Sequence, residues 1–546
     1  MRIKVLGENK ELFIEAYQSQ VLLDVLLENK IWVSNPCHGN GVCGKCKVRV
    51  VEGSLPITEA DRQKLSKIEL EQGIRLACKA KLESAQPLTI EILGRFEENI
   101  LVESVSIGKI PTENFYQDNK LQYKLEEDKE ASFFIAIDIG TTTIAMALVN
   151  KKTGAVCDTY TSINHQRKLG ADVISRIEAA NGGKADELKN LIAQDLWNGI
   201  RKWIGISKNI SRILIAGNTT MIHLLMGYSC KSLGKYPFVS EYLGKIDGTL
   251  KACMDLKLDS IGLTGKETNV FNSIYEEILN IPVTILPGIS AFVGADVVAD
   301  MLACPEFETG NITLLIDLGT NGEMVLGNKN KLLVTSTAAG PAFEGGNISC
   351  GTASIPASIC RVKIQNQRAI VRTIEEKMPP LGVCGSGLIS SMAELKRNKL
   401  IDEDGNLRFP YEKNGYPLWN FDDGKKITIT QKDIREFQMA KSAIRAGMEI
   451  LMEEYGCSKK EIKYVYLAGG FGKALNIEDI FTTGILPREF KDKMKIIGNG
   501  VLQGEMLLGL GEVSEKKTED ICQRAEAISL SQNINFQKKY MEYMKL

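Results

Sequence analysis

The stretch Phe134-Ile-Ala-Ile-Asp138-Ile-Gly140-Thr-Thr-Thr143 joins an apolar run to an aspartate, a glycine and three hydroxyl side chains. Further along, the chain repeats this arrangement as Leu314-Leu-Ile-Asp317-Leu-Gly319-Thr-Asn-Gly-Glu323. An apolar run rich in isoleucine and leucine predicts a buried strand, and the glycine after it predicts a tight turn into a second strand. One copy alone is compatible with an ordinary β-turn, whereas two copies in one chain indicate a shared chemical role.

The order of strand, aspartate, glycine and then hydroxyl or amide groups is typical of a hairpin that grips phosphate. Turn N–H groups and hydroxyls contact phosphate oxygens, while the aspartate holds Mg²⁺ through water or positions the attacking water. We therefore predict that Asp138 and Asp317 are catalytic. The residues of the two hairpins predicted to bind nucleotide are Gly140, Thr141, Thr142, Thr143, Gly319, Thr320 and Asn321.

A third motif, Val465-Tyr-Leu-Ala-Gly469-Gly-Phe-Gly472, predicts a strand that runs into glycines. Glycine has no side chain, so the backbone at this point can approach a flat adenosine closely. We predict that Gly469, Gly470 and Gly472 bind nucleotide. The sequence has no P-loop, and no βαβ unit opens the domain, so a Rossmann interpretation of these glycines fails.

Two further loops carry polar residues beside these motifs. In Ala338–Asn347 we predict that Gly340 and Glu344 lie over the nucleotide, with a loop that faces a partner or a structural turn as the alternatives. Ile213–Met221 ends a strand and starts a helix, and we predict that Asn218 lies near the phosphates. The alternative role for Asn218 is that of a helix N-cap, and the two roles are compatible.

Taken together and in this order, the hairpins and the glycine motif resemble the superfamily of acetate and sugar kinases, Hsp70 and actin. The resemblance implies an α/β fold of two duplicated ribonuclease-H-like lobes, with Mg-ATP in the cleft between them. It also makes Ile213–Met221 similar to the connector between the lobes of that superfamily.

The N-terminal region carries four cysteines, Cys37, Cys43, Cys46 and Cys78. Two short spacings followed by one distant cysteine are typical of a [2Fe–2S] site, in which a loop supplies three thiolates and a returning segment the fourth. Structural zinc is the alternative, although zinc ligands usually come as two C-x-x-C pairs and only Cys43 and Cys46 form one here. The remaining cysteines form no second metal pattern and are expected to be buried packing residues.

The residues around these cysteines predict a small domain. The predicted strands are Arg2–Leu6, Glu11–Ala16, Lys47–Val51 and Leu88–Leu93, and the predicted helices are Val21–Asn29 and Glu59–Ile68. This order resembles the plant- and vertebrate-type ferredoxins, which imply a β-grasp sheet with the cluster at its edge. Five residues separate Cys37 from Cys43, which is closer to the vertebrate-type spacing. His38 lies in the cluster loop, whereas His165 and His223 have no partners in sequence and are expected to be incidental.

The chain has 546 residues, of which 44% are apolar and 25% charged, and this composition is typical of a soluble multidomain protein. A net charge of −1 gives no reason to expect nucleic acid as a partner. The apolar stretch Phe133–Val149 is interrupted by Asp138, so no membrane span is predicted. Met1–Lys10 begins as a strand and not as a signal sequence, which predicts a cytoplasmic location.

The predicted domains follow from these motifs. Residues 96–132 hold nine acidic and four basic residues, which predicts a solvated tether. We divide the chain into a [2Fe–2S] ferredoxin domain (1–95), an acidic linker (96–132), ATPase lobe I (133–310) and ATPase lobe II (311–546). A mobile tether would let the ferredoxin domain visit two electron partners in turn.

A ferredoxin domain followed by this ATPase resembles, over nearly the whole chain, the reductive activators of corrinoid-dependent enzymes from anaerobic methyl-transferring organisms. The motifs that carry the resemblance are C-x5-C-x2-C…C (37–78), D-I-G-T-T-T (138–143), A-G-N-T-T-M (216–221), D-L-G-T-N-G-E (317–323), G-P-A-F-E-G (340–345), C-G-S-G (384–387) and A-G-G-F-G (468–472). The resemblance implies an ATP-dependent transfer of one electron that returns Co(II) to Co(I) in the corrinoid protein of a methyltransferase system. An external low-potential donor and a homodimer are also expected.

Two other functions stay open from the residues. One is an ATP-gated electron donor to another low-potential enzyme, such as a radical-forming dehydratase, although those activators place a [4Fe–4S] cluster at a dimer interface. The other is a kinase or chaperone-like ATPase that is regulated by its cluster, which a small phosphorylated acceptor would identify. Some relatives carry an additional domain between ferredoxin and ATPase, where this chain has the acidic linker.

Overall fold

The computed structural model describes residues 2–6, 11–29, 31, 33, 41, 44, 46–82, 87–92, 132–203, 209–254, 276–470 and 475–546. The predicted linker, except for Ser132, therefore lies outside the described residues, as do Cys37, Cys43 and Gly472. Three main sheets organise the described chain, one near the N-terminus and two of six strands each. No helix within the described ranges combines the length and the apolar composition needed to cross a membrane.

The strands are β1 (Arg2–Leu6), β2 (Glu11–Glu15), β3 (Lys47–Glu52), β4 (Ile74–Leu76), β5 (Leu88–Ile92), β6 (Phe133–Ile139), β7 (Thr143–Asn150), β8 (Val156–Ile163), β9 (Ile210–Gly217), β10 (Ile246–Thr249), β11 (Pro282–Ile285), β12 (Ile312–Leu318), β13 (Gly322–Gly327), β14 (Leu332–Thr337), β15 (Ser358–Gln365), β16 (Arg368–Thr373), β17 (Gly382–Val383), β18 (Tyr416–Asn420), β19 (Lys426–Ile429), β20 (Ile462–Ala468), β21 (Met494–Gly498) and β22 (Ala525–Ala527). The helices are α1 (Leu22–Glu28), α2 (Glu59–Lys64), α3 (Lys67–Glu71), α4 (Val173–Ala179), α5 (Ala185–Ile200), α6 (Thr219–Met226), α7 (Leu250–Met254), α8 (Ala295–Leu302), α9 (Gly385–Arg397), α10 (Gln431–Tyr455), α11 (Ile477–Thr483), α12 (Gly500–Leu510), α13 (Glu515–Arg524) and α14 (Phe536–Glu542).

The N-terminal sheet has the strand order β2-β1-β5-β3-β4. β1 runs antiparallel to β2 and parallel to β5, which is the mixed pairing of a β-grasp sheet. Burial alternates along β1, where Ile3 and Val5 enter the core, because successive side chains of a strand point to opposite faces. The predicted strands of this region are present, and Ile74–Leu76 (β4) forms a further strand that the sequence did not predict.

The predicted single helix over Glu59–Ile68 is wrong, because α2 and α3 occupy this stretch as two helices. Leu65 is extended and ends the first helix. The Ser66 hydroxyl then accepts a hydrogen bond from the Glu69 N–H at 3.2 Å, and the Glu69 carboxylate accepts one from the Ser66 N–H at 2.8 Å. This reciprocal capping box starts the second helix.

The two six-stranded sheets share five strands of one topology, with the sixth strand at opposite edges (β10 in the first and β22 in the second), which confirms the predicted duplicated α/β fold. The strand orders are β10-β11-β9-β6-β7-β8 and β21-β20-β12-β13-β14-β22. In each sheet three antiparallel strands follow one another along the chain, and a later strand, β9 or β20, pairs parallel with the first of the three. We call the unit around the first sheet lobe I and the unit around the second lobe II.

The last sheet-flanking helices of the two copies, α8 and α12, pack directly against each other and join the lobes. Gly504 of α12 approaches α8 so closely that a Cβ added to it would lie 1.8 Å from the carbonyl oxygen of Ala299. The segment Ile213–Met221, predicted as the connector, instead leads into α6, which packs inside lobe I against α5 and α7. That expectation is corrected because the apolar side chains of α6, including Leu224 and Leu225, belong to the core of lobe I.

Gly504→Ala should weaken this junction, because the new Cβ would overlap the Ala299 carbonyl oxygen and force the helices apart. Overpacking of a tight contact costs about 1–3 kcal/mol. We expect a lower midpoint of thermal unfolding by scanning calorimetry. Gly310→Ala is the matched control, since nothing lies within 4 Å of its added Cβ. Equal midpoints for the two variants would contradict the close approach of the helices.

Candidate functional site in the cleft between the lobes

In each of the two predicted phosphate-binding hairpins, the N–H of a glycine closes the turn. The Gly140 N–H donates to the Thr143 carbonyl at 2.9 Å, and the Gly319 N–H donates to the Asn321 carbonyl at 2.9 Å. A Cβ on Gly140 would lie 2.7 Å from that Thr143 oxygen, so a larger residue would distort the turn. These two N–H groups are engaged inside the turns, and both glycines shape the hairpins that carry the hydroxyls.

The two aspartates predicted to be catalytic occupy equivalent positions in the duplicated sheets. Asp138 pairs with Ala216 of β9, and Asp317 pairs with Ala468 of β20. Both aspartates are partly exposed, and the charge of Asp138 contributes to the raised pKa of Asp317. The duplicated topology thus brings the carboxylates of two distant motifs to one cleft.

Hydroxyl groups of the two hairpins meet across the lobes. Thr142 Oγ1 lies 3.3 Å from Thr320 Oγ1. Both hydroxyls donate to the same atom, Glu344 Oε2, at 2.9 Å from Thr142 and 2.6 Å from Thr320. Three residues that were predicted from three separate motifs therefore form one hydrogen-bonded group.

The first hairpin is also anchored from behind. Asn218 Nδ2 donates to Thr141 Oγ1 at 3.1 Å, while Asn218 Oδ1 accepts from the Met221 N–H at 3.0 Å and caps α6. Asn218 therefore acts as an N-cap and touches the hairpin at the same time. The guanidinium of Arg176, fully buried, donates to the Thr141 carbonyl at 2.5 Å, and burial lowers the pKa of Arg176 to about 9.

The cleft floor is lined with carboxyl groups that come from both lobes. Asn499, the N-cap of α12, donates from Nδ2 to Asp138 Oδ2 at 2.7 Å. The acidic residues behind and beside the two catalytic candidates are Asp296, Asp300, Glu323 and Glu505. Asp300 is fully buried, and neither of its oxygens meets an N–H or hydroxyl donor within the described chain. It faces Asp317, which forms a hydrogen bond with it only while one of the two carboxyls holds a proton.

Burial controls the protonation of this group. Burial, and then the charge of Asp296, raises the pKa of Asp138 to about 7, against the opposing effect of the Asn499 hydrogen bond. Burial and the charges of Asp296 and Asp138 likewise raise the pKa of Asp317 to about 7. The pKa of Asp300 lies well above its ordinary value, first through burial and then through the neighbouring carboxylates. Near neutral pH, the carboxyl groups of the cleft are therefore partly protonated.

Four residues of this floor were missed by sequence reasoning, namely Asn499, Asp296, Asp300 and Glu505. A signal for them exists. The run Val465-Tyr-Leu-Ala-Gly469 repeats Ile213-Leu-Ile-Ala-Gly217, and this second repeat aligns the two lobes beyond their hairpins. The segments that end in α8 and α12 then become equivalent, and Asp296 and Asp300 stand four residues apart on one helix face.

The glycine motif begins where β20 ends. The Gly469 N–H donates to the Gly498 carbonyl at 2.9 Å, and its φ of +126° is one that residues with a Cβ rarely adopt. A Cβ added to Gly470 would meet nothing within 4 Å, and the same is true of Gly340. Both positions are open, which suits the approach of a ligand to bare backbone. Gly472 lies outside the described residues.

Two of the four predicted cluster ligands, Cys46 and Cys78, are described, and both are buried. They lie on adjacent backbone segments, because the Ala77 N–H donates to the Cys46 carbonyl at 2.8 Å. A loop cysteine beside a cysteine of the returning segment is the arrangement that a [2Fe–2S] cluster requires, so the described residues fit the group. Cys37 and Cys43 lie outside the described residues.

Glycines also shape the loop that precedes Cys46. Gly41 and Gly44 have φ angles of +78° and +68°, which favour glycine strongly. A Cβ on Gly41 would lie 2.7 Å from Lys79 Cε, and one on Gly44 would lie 3.2 Å from Lys64 Cβ. Gly41 and Gly44 therefore lie beside the side chains of Lys79 and Lys64.

His165 and His223, for which the sequence shows no partners, each have a defined hydrogen-bond partner in the structure. His165 Nδ1 lies 2.5 Å from Asp195 Oδ1, and His223 Nε2 lies 2.8 Å from Ser240 Oγ. These partners stand 30 and 17 residues away in sequence, a separation that no local pattern reveals. The cysteines outside the predicted cluster ligands are buried or partly buried, as packing residues should be.

Asp300→Asn should change the pH dependence of stability. The pKa of Asp300 is higher in the folded state than in the unfolded chain. As pH rises above about 4, the carboxyl of the unfolded chain loses its proton while that of the folded protein keeps it. The free energy of unfolding therefore falls with rising pH. Asparagine keeps the shape without this titration. We expect the variant to gain stability over the wild type at pH 8 but not at pH 4, measured by urea unfolding at both values. A difference independent of pH would contradict the raised pKa.

Cys78→Ala should abolish cluster binding, because it removes one of four thiolates from a site that needs all of them. The protein purified without oxygen is expected to contain iron, acid-labile sulfide and the visible spectrum of a [2Fe–2S] cluster, all of which the variant lacks. Cys384→Ala removes another buried thiol and serves as the control. Zinc in a colourless wild-type protein would overturn the assignment.

Comparison with known families matches three stretches of the chain. The family described as "2Fe-2S iron-sulfur cluster binding domain" matches residues 6–83, and "RACo middle region" matches residues 133–260. The family described as "C-terminal domain of RACo the ASKHA domain" matches residues 311–546. The predicted ferredoxin and ASKHA folds are thereby confirmed.

Similar full-length proteins have related descriptions. The "Corrinoid activation enzyme RamQ" of Eubacterium limosum is 31% identical over 441 residues, which cover 76% of this chain and 70% of that protein. A Co(II) methylated amine-specific corrinoid protein reductase of Methanosarcina barkeri is 26% identical over 415 residues, covering 71% and 73%. A solved structure described as "Reductive activator for corrinoid,iron-sulfur protein" matches with a TM-score of 0.67 and 28% identity, over 100% of this chain and 98% of that one. The identity and length shared with RamQ, and the three matched domains in one order, show that this chain belongs to the family of reductive activators of corrinoid proteins.

Proposed function

We propose that this protein couples ATP hydrolysis to the transfer of one electron onto the Co(II) corrinoid of a methyltransferase system, which regenerates Co(I). The observation that carries the ATP part is the cleft, where Thr142 and Thr320 of two lobes donate to one anionic oxygen. The corrinoid part is supported by relatives whose names describe corrinoid activation and Co(II) corrinoid protein reduction.

The nucleotide is proposed to lie in the cleft with its phosphates between the two hairpins. Hydroxyls of Thr141, Thr142, Thr143 and Thr320, with Asn321 and Asn218, would contact phosphate oxygens. The backbone at Gly469 and at Gly470, where an added Cβ would meet nothing within 4 Å, would face the adenosine. Asp138 and Asp317 suit Mg²⁺, which is usually bound through one or two carboxylates, water and substrate phosphates.

A bound cation with its nucleotide would also change the protonation of the carboxyl groups in the cleft. The pKa values of Asp138 and Asp317 are raised to about 7, so part of each carboxyl population is protonated near neutral pH. An adjacent positive charge favours the ionised form and lowers the pKa. Binding of Mg-ATP is therefore expected to release protons from the cleft and to leave a carboxylate able to orient the attacking water.

The N-terminal unit is proposed to hold the electron carrier through Cys37, Cys43, Cys46 and Cys78. When bound, a [2Fe–2S] cluster accepts one electron from an external low-potential donor and passes it on. The chain's own residues bury two of the described ligands and place Lys64 and Lys79 beside the cluster loop. This positive charge also suits docking of a partner with an acidic surface.

The need for ATP follows from the reduction potentials of the cluster and the corrinoid. A plant-type [2Fe–2S] centre has a potential near about −400 mV, and the family resemblance implies a corrinoid Co(II)/Co(I) couple below that value. Each 100 mV of uphill transfer costs about 2.3 kcal/mol per electron. ATP can supply this energy through differential affinity, if one nucleotide state of the lobes binds the Co(II) protein and hydrolysis releases the reduced one.

We further propose the domain bounds given above, with residues 96–132 as the tether that lets the ferredoxin domain move between donor and acceptor. Among the described residues, Lys168 Nζ of lobe I lies 3.7 Å from Asp24 Oδ1 of the N-terminal unit. An ion pair between exposed side chains adds little stability. A homodimer in the cytoplasm of an anaerobe completes the proposal.

In a mixture of low-potential reductant, Mg-ATP and a partner corrinoid protein, loss of the Co(II) absorption band and growth of the Co(I) band should be observed. The rate should fall to background for Asp317→Asn, which removes a carboxylate from the cleft, and for Cys78→Ala, which removes a cluster ligand. The corrinoid protein should in turn accelerate ATP hydrolysis, since coupling between two sites is reciprocal.

Two controls separate the parts of the proposal. Cys78→Ala should keep its ATP hydrolysis, because the cluster and the cleft belong to different units, and Asp317→Asn should keep its cluster. Full reduction of the corrinoid by Cys78→Ala would exclude an electron path through the N-terminal unit. Unchanged ATP hydrolysis by Asp317→Asn would mean that the phosphate hairpins are misassigned.

A further inference from the structure

Glu344 stands where the two hairpins meet. Its Oε2 accepts hydrogen bonds from Thr142 of lobe I at 2.9 Å and from Thr320 of lobe II at 2.6 Å. The two hydroxyl oxygens themselves are 3.3 Å apart, so a single anionic oxygen bridges the lobes. Thr320 is buried and Glu344 is only partly exposed, which keeps water from replacing these bonds easily.

A threonine hydroxyl has one hydrogen to donate. While Thr142 and Thr320 donate to Glu344, neither can donate to another anion. A phosphate oxygen requires the same donors as a carboxylate oxygen and forms the same kind of charge-assisted bond. The Glu344 carboxylate and a phosphate of the nucleotide therefore exclude each other at this position.

We infer that Glu344 occupies the place of the terminal phosphate of ATP and must be displaced by the triphosphate, and this inference rests on the ATP-dependent function proposed above. The terminal phosphate is the reacting one, so it must lie beside Asp138 and Asp317, which directly precede the two hairpins. Glu344 lies beside the same two hairpins, since it accepts hydrogen bonds from Thr142 of one and Thr320 of the other. ADP lacks this phosphate and leaves Glu344 where it is.

The segment that carries Glu344 is bounded by two glycines. Pro341–Glu344 forms one short turn of helix between Gly340 and Gly345, both with φ of +78°. Such glycines absorb backbone rotation on either side of the turn. The turn rests on α10 through Phe343, whose ring centre lies 6.0 Å from that of Phe437. Displacement of Glu344 would therefore act on α10 through this ring contact in the core of lobe II.

This role differs from the nucleotide-binding role that the sequence suggested for Glu344. A carboxylate repels phosphate unless a cation lies between them. Glu344 therefore competes with the terminal phosphate and lowers the affinity of the cleft for ATP. It also makes the empty cleft distinguish ATP from ADP, because only the longer nucleotide has to break the two threonine bonds.

The experiment compares Glu344→Gln with the wild type in binding of a non-hydrolysable ATP analogue and of ADP by calorimetry. Glutamine keeps the size but forms weaker neutral hydrogen bonds. We expect the analogue to bind at least about tenfold more tightly to the variant and ADP to bind within about twofold of the wild type. Glu436→Gln is the matched control, since Glu436 accepts from Asn347 of the same loop but does not touch the threonines.

The outcomes are distinct. An unchanged ratio of analogue to ADP affinity overturns the inference, and weaker analogue binding shows that Glu344 holds the nucleotide through a cation. If neither protein binds nucleotide, the proposed ATP site is wrong and the inference falls with it. Binding by the variant but not by the wild type supports the inference in its strongest form.

A second measurement uses the wild type alone and so does not depend on folding of the variant. Backbone hydrogen exchange of residues 338–350 should rise when the ATP analogue is added and should stay unchanged with ADP. Equal exchange with both nucleotides would overturn the displacement of Glu344.

Discussion

The close contact of α8 with α12 determines how the two lobes of this protein face each other. The contact exists because Gly504 leaves room for the Ala299 carbonyl, where a Cβ would lie only 1.8 Å away. It brings the hairpins of Asp138 and Asp317 to one cleft and allows Thr142 and Thr320 to reach the same carboxylate. Without this close approach of the two helix backbones, the residues of the two hairpins would lie apart, one set in each lobe.

Several buried carboxyl groups lie at the same junction, although burial of such groups lowers stability. Asp300 is fully buried without a donor within the described chain, and Asp138 and Asp317 have pKa values raised to about 7. Burial of ionisable groups costs stability, and such groups cluster where a protein needs them for binding or catalysis. This arrangement supports the proposed binding of a cation in the cleft, because its positive charge would offset the repulsion among the carboxylates.

Much of this arrangement was predictable from local patterns. Asp138 and Asp317 follow apolar strands directly, so their place at the strand ends follows from the sequence, as does the alternation of Ile3 and Val5. Asn499 and Asp300 were not predictable in this way, because their partners come from the packing of one helix against another far along the chain. Glu344 was selected for its motif, but its role depends on two hydroxyls that only the folded lobes bring together.

The central claim is that ATP changes the equilibrium of electron transfer and not its rate alone. The direct test is the final fraction of the corrinoid partner in the Co(I) state at a fixed, buffered potential, measured with and without Mg-ATP after the reaction has stopped changing. We predict a larger final Co(I) fraction with ATP than the potential alone allows. The same final fraction, reached faster with ATP, would contradict the coupling of the cleft to the electron.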